Sequence, residues 1–197
     1  MPGAPVLQNA WAAPGLVVAL NIGGGSGGGT TWAAAGGWTP AAARFQLSGG
    51  GGFAGSGSAA GAPSRGIYGL RAAVPIVQLM AGDVGVAAFA GIGGGAGNKV
   101  DTTVAKSIVP AGLAVGYRRA IGSAGRGFSV YADPTYEFFT GAAKSHGYVR
   151  VGVGVDAGLT ARLGLTLGAE SGATAAPGSV GPHGTLYGIG ISMKVGR

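Results

Sequence analysis

Apolar residues alternate with small or polar ones at a period of two over most of this chain. The clearest run is Gly147 to Thr160, where Val149, Val151, Val153, Val155, Ala157 and Leu159 share one parity and Arg150, Gly152, Gly154, Asp156 and Gly158 the other. Successive side chains of a strand point to opposite faces, whereas a helical period of 3.6 would mix the two sets. The run therefore predicts a strand with one apolar face. Leu163, Leu165, Leu167 and Ala169 repeat the pattern against Arg162, Gly164, Thr166, Gly168 and Glu170, predicting a hairpin with a tight connection around Thr160-Ala161. Tyr187, Ile189, Ile191, Met193 and Val195 mark a last strand.

Upstream, Phe128, Val130, Ala132, Pro134, Tyr136 and Phe138 alternate with Ser129, Tyr131, Asp133, Thr135 and Glu137. Val109 to Tyr117, Val84 to Ile92 and Tyr68 to Ile76 continue the rows, with Arg118 and Arg71 on the polar parity. The pattern is fainter in the first third, where Phe45, Leu47 and Phe53, an Ala/Gly stretch between Trp32 and Trp38, and Leu16 to Ile22 suggest three more strands. About ten strands result, with eight as the alternative count, and each is near the ~9 to 11 residues that a tilted strand needs to cross a bilayer. Short links at Pro40 to Ala42, Met80 to Gly82, Gly122 to Gly125 and Thr160 to Ala161 alternate with longer ones at Gly55 to Arg65, Gly95 to Lys106 and Gly172 to His183. That asymmetry, with an even strand count, is expected of an antiparallel up-and-down transmembrane β-barrel with its short turns and both termini on one side.

Composition narrows the alternatives. Gly supplies 45 of 197 residues and 10% of the chain is charged, yet mean hydropathy is positive, which excludes the polar or highly charged composition of a disordered chain. The Gly runs lack the three-residue period of collagen. No stretch reaches the ~18 uninterrupted apolar residues of a membrane-spanning helix. A soluble barrel of lipocalin type would carry its apolar rows inside and a charged exterior; a soluble Gly-rich binding module is the alternative on that side. With no Cys, neither disulfides nor thiolate metal sites contribute. Met1-Pro-Gly-Ala-Pro-Val carries no basic n-region or apolar h-region, so an exported protein is expected to have lost its signal peptide ahead of this sequence.

The rows from Gly15 to Val195 resemble the small, porin-like outer-membrane β-barrels of Gram-negative bacteria. Gly190, Met193 and Val195 are similar to the terminal assembly signal of such proteins, a Gly followed by apolar residues three and five positions on, although the last position is not aromatic and Gly196-Arg197 follow it. The resemblance implies a periplasmic segment over 1–14 and a barrel domain over 15–197. It implies outer-membrane lipid, lipopolysaccharide and the outer-membrane assembly machinery as partners, and a monomer in the cell envelope. It brings no catalytic motif, and a structural or narrow-channel role is expected.

Candidate chemistry is sparse. The Gly runs 23–29 and 49–52 lack the strand-to-helix context and Lys-Ser/Thr of a phosphate loop. Ser145 and His146 beside Glu137 suggest a hydrolase at the barrel rim, acting on lipid or peptide, but neighbours on a strand point opposite ways and no third group orients a base. No enzyme, metal or cofactor is therefore expected. The net charge of +7 is dispersed without aromatic interleaving, and no nucleic acid is expected. Loop lysines 99, 106 and 144 suit lipopolysaccharide phosphates, and Trp11, Trp32, Trp38, Tyr68, Tyr117 and Tyr148 suit interfacial girdles.

One constellation stands out. If the link near Ala142-Ala143 closes symmetrically, Thr135 faces Arg150, and Asp133 and Glu137 lie diagonally to either side. The next hairpin would bring Glu170 roughly opposite Arg150. Arg118, Asp156 and Arg162 would form a second charged group nearer the short turns. A lumenal charge cluster centred on Arg150 is expected, acting as a plug or as a gate.

Overall fold

The computed structural model describes residues 15–25, 29–42, 45–55, 65–80, 83–96, 107–122, 126–140, 146–172 and 184–195. The expected segment 1–14 lies outside the described residues, as do Ser145, His183 and the loop lysines.

Ten strands follow one another in chain order: β1 Gly15–Gly25, β2 Thr30–Thr39, β3 Gln46–Ala54, β4 Arg65–Leu79, β5 Val84–Ala96, β6 Ser107–Ile121, β7 Arg126–Thr140, β8 His146–Gly158, β9 Leu163–Gly172 and β10 Leu186–Val195. Each pairs antiparallel with its chain neighbours, and β1 pairs with β10 from Leu16↔Val195 to Gly25↔Leu186. The result is a closed up-and-down barrel, which has no free edge to recruit another strand. Short connections, 40–45, 80–83, 122–125 and 159–162, join the strands at the end that also holds Gly15 and Val195; at the other end the links are 26–29 and 141–145, which are as short, and the longer 55–64, 97–106 and 173–185.

Alternation decides the two surfaces. Leu20 is 70% exposed and Leu70 64% on the outer wall, whereas Arg150 and Asp133 are each 1% exposed inside it. The outer face carries the apolar residues that sequence alternation assigned there, including the faint rows of β1 to β3, where β2 contributes Trp32 and Trp38 rather than Val, Leu or Ile.

Prolines interrupt the ladder where they remove an N–H. Between β4 and β5 the register shifts between Pro75 and Val77. Pairing between β6 and β7 breaks between Gly112↔Thr135 and Val115↔Ala132, on either side of Pro134. Asp133, the neighbour of that proline, faces inward at this break.

The interior is uneven. On β1 to β3 the inward positions are mostly Gly, Ala, Ser and Thr, and the bulky or charged inward side chains come mainly from β4 to β9, with Leu186 and Lys194 added by β10. Ala73, Ala87, Phe89 and Ala114 pack together as a small apolar cluster inside β4 to β6.

Candidate functional site: the lumenal charge cluster

The β7–β8 hairpin forms in the symmetric register, with Thr135 facing Arg150, Asp133 facing Gly152 and Glu137 facing Tyr148. Asp133, Glu137 and Arg150 are all buried on the inner face. Inward alternation from two neighbouring strands thus places two carboxylates diagonally about one guanidinium.

The β8–β9 connection departs from expectation. Gly158 pairs with Gly164, so residues 159–163 make a wider turn than Thr160-Ala161 alone, and Gly172 faces Arg150 while Glu170 faces Gly152. Local hydrogen bonds set this turn: the Leu163 and Arg162 amides both donate to Thr160 Oγ1, at 3.0 and 3.2 Å, and the Leu159 amide donates to the Leu163 carbonyl at 2.9 Å. Glu170 therefore stands in one lateral row with Gly152 and Asp133. Gly152, which has no side chain, stands between the two acids in that row.

Arg150 uses that offset. Its Nε donates to Glu170 Oε1 at 2.5 Å, and Nη2 donates to the Gly184 carbonyl at 2.9 Å. The guanidinium lies within electrostatic reach of Glu137, whose Oε2 has no hydrogen-bond partner among the described residues. Both oxygens of Asp133 are likewise without one. Among the described residues, the cation in reach of Asp133 is Arg71 of β4, which stands over the Phe89 ring with its Cζ 3.8 Å from the centroid. The expected group of three acids around Arg150 is thus divided: Arg150 binds Glu170 beside Glu137, and Arg71 approaches Asp133 from three strands away. Hairpin registers could not reveal this second cation, because its approach is across the barrel; the available signal was the inward parity of Arg71.

The second charged group forms in part. Arg118, Ser129, Asp156 and Thr166 make one lateral row through β6 to β9. Asp156 accepts from Ser129 Oγ at 3.2 Å and from Thr166 Oγ1 at 2.7 Å. Arg118 is exposed at the mouth. Arg162 does not enter the lumen: it precedes β9, in the turn, and is exposed.

Aromatic residues sort by parity. Trp32, Phe53, Tyr68, Tyr136, Phe138 and Tyr187 are exposed on the outer wall toward the long connections, and Trp38, Phe45 and Phe128 toward the short ones. Tyr148 is a correction to the expected girdle: it points inward and meets Phe139 edge to face at 5.3 Å. Tyr131 also turns inward and lies over Gly154, where a Cβ would come within 2.2 Å of its ring and hydroxyl.

This arrangement can neutralise charge and obstruct a pore; among the described residues no group of three His, Asp or Glu side chains could hold a metal ion. Fold and site together define a closed ten-stranded barrel with an apolar exterior and a charge-bearing interior. No family model matches the sequence, and no curated protein is similar to it.

Proposed function

We propose that this chain is an integral outer-membrane β-barrel of a Gram-negative envelope, with a structural or narrow-channel role and a lumen obstructed by paired charges. One observation carries the reading: the distribution of polarity suits a barrel in lipid, with exposed Leu, Val and Ile outside and Arg150, Asp133 and Glu170 buried inside. Such an exterior in water would expose an apolar surface far larger than soluble monomers tolerate. In a bilayer it is matched to the acyl chains, and closure satisfies the backbone groups that lipid cannot.

The aromatic rings support the same reading. Trp and Tyr favour the membrane interface, where the ring meets acyl chains and the polar atom meets water. From Phe128 to Phe138, at ~3.4 Å per residue and a tilt of ~40°, the wall rises on the order of 25 Å, the height of a transmembrane apolar band.

Inside, the Arg150–Glu170 bridge and the Arg71–Phe89 stack project from the wall into a lumen of modest width, since ten strands enclose little more than eight. Weak or no conductance is therefore expected. The test is folding of the full chain into phosphatidylcholine vesicles, read by heat-dependent gel migration and by current across planar bilayers. A band that shifts on boiling, with little current, supports the proposal. An unshifted band counts against a membrane barrel, and porin-sized current steps against an obstructed lumen.

A further inference from the structure

The outer wall at the short-turn end of β6 and β7 carries two arginines among apolar and aromatic side chains. Arg119 faces Phe128 across the ladder and Ile121 faces Arg126, so the two guanidinium-bearing residues are diagonal neighbours on the outward parity. Both are exposed, as is Ile121. Arg119 Nη1 donates to Tyr117 Oη at 3.4 Å, and the Tyr117 ring tilts against Phe128 with centroids 6.2 Å apart. Above them the wall continues as exposed Val115, Leu113 and Val130.

Diagonal cross-strand residues lie roughly 7 to 8 Å apart, close enough for long side chains of like charge to repel. Asp83 in the β4–β5 turn lies within electrostatic reach of Arg119 and offsets part of that charge. Arg118 and Arg162 add exposed positive charge at the same end. An anion between Arg119 and Arg126 would relieve the repulsion, and a guanidinium matches phosphate oxygens in a two-pronged geometry.

We infer that Arg119 and Arg126, framed by Tyr117 and Phe128, form a binding site for the headgroup of an anionic phospholipid. The inference rests on the membrane reading above. The amphipathic setting selects this occupant: the arginines stand on the lipid-facing wall, level with aromatic rings and directly below the apolar band, where a lipid phosphate and its acyl chains can be met together. A polyanion on the aqueous side, such as peptidoglycan, would approach the end of the barrel and meet Arg118 and Arg162 instead.

The experiment uses the full chain folded into vesicles of phosphatidylcholine alone and of phosphatidylcholine with phosphatidylglycerol. Folding is scored by gel migration, and retained lipid by native mass spectrometry after extraction. The unaltered chain should fold in both and retain phosphatidylglycerol in preference by on the order of tenfold, as expected for two arginines at a lipid surface. Arg119→Gln with Arg126→Gln should fold equally well and lose that preference, whereas Arg162→Gln should keep it. Arg119→Lys with Arg126→Lys, which preserves charge but not the planar fork, should retain part. Folding in both vesicles with no preference, or a preference that survives the double Gln substitution, overturns the site while leaving the membrane reading intact. Binding to purified peptidoglycan that is lost in the double variant, without any lipid preference, also overturns it. Failure to fold into either vesicle removes the membrane reading and the site together.

Discussion

Arg150 and Glu170 are bonded across β8 and β9, Nε to Oε1 at 2.5 Å, although Gly172 is the residue that faces Arg150 in the ladder. Glycine at 172 makes the approach possible. Its φ of +151° ends β9 in a conformation that other residues rarely adopt, and a Cβ there would come within 2.7 Å of the Arg150 Cα. The guanidinium inclines away from its direct partner to the carboxylate two residues off, with the Gly184 carbonyl as a further acceptor.

Arg150→Ala should lower stability by about 3 kcal/mol, because it leaves the buried Glu170 carboxylate without its cation. Urea unfolding in detergent measures this. Arg150→Ala should also raise the bilayer current, since the bridge obstructs the lumen. A variant with the unaltered midpoint and current would show that the pair neither holds nor closes the barrel.

The second cation makes a different test. Arg71→Met alone should destabilise by about 2 to 3 kcal/mol, since Asp133 loses a positive charge within its reach. Arg71→Met combined with Asp133→Asn should be at least as stable as the parent, because two desolvated charges are replaced by neutral groups of similar size. If the double variant unfolds at lower urea than Arg71→Met, the two residues do not act on each other.

Tyr131 supplies a prediction of unequal signs. Its hydroxyl is buried without a hydrogen-bond partner among the described residues, so Tyr131→Phe should be neutral or stabilising by up to about 1 kcal/mol. Gly154→Val should cost about 3 kcal/mol or prevent folding, because the new side chain occupies the volume of the Tyr131 ring. Pairing Gly154→Val with Tyr131→Ala should recover part of the loss. Chemical unfolding of the four proteins compares them directly.

Trp32 and Trp38 are 60% and 47% exposed on the outer wall, near opposite ends of the apolar band. With Trp11 replaced by Phe, tryptophan fluorescence in vesicles should be quenched more by lipids brominated near the headgroup than by lipids brominated at the chain end. Quenching by aqueous iodide alone would place these rings in water and contradict the membrane reading.

How much of this was legible beforehand depends on whether a relationship is local. The strands, their parity and the Arg150–Thr135 register could be read from the chain, because period-two alternation and a symmetric hairpin are properties of contiguous residues. Other departures from expectation are local as well. The hydroxyl of Thr160 organises a wider β8–β9 turn and shifts Glu170 to the row of Gly152. Arg162 falls in that turn, outside the lumen, and Tyr148 turns into the lumen, because parity along each strand, with β9 beginning only after Arg162, governs direction more strictly than nearness to a strand end. The approach of Arg71 to Asp133 depends on the stagger and tilt with which all ten strands close. Stagger is a property of the whole ring, to which every connection contributes, so no single hairpin in the sequence could specify it.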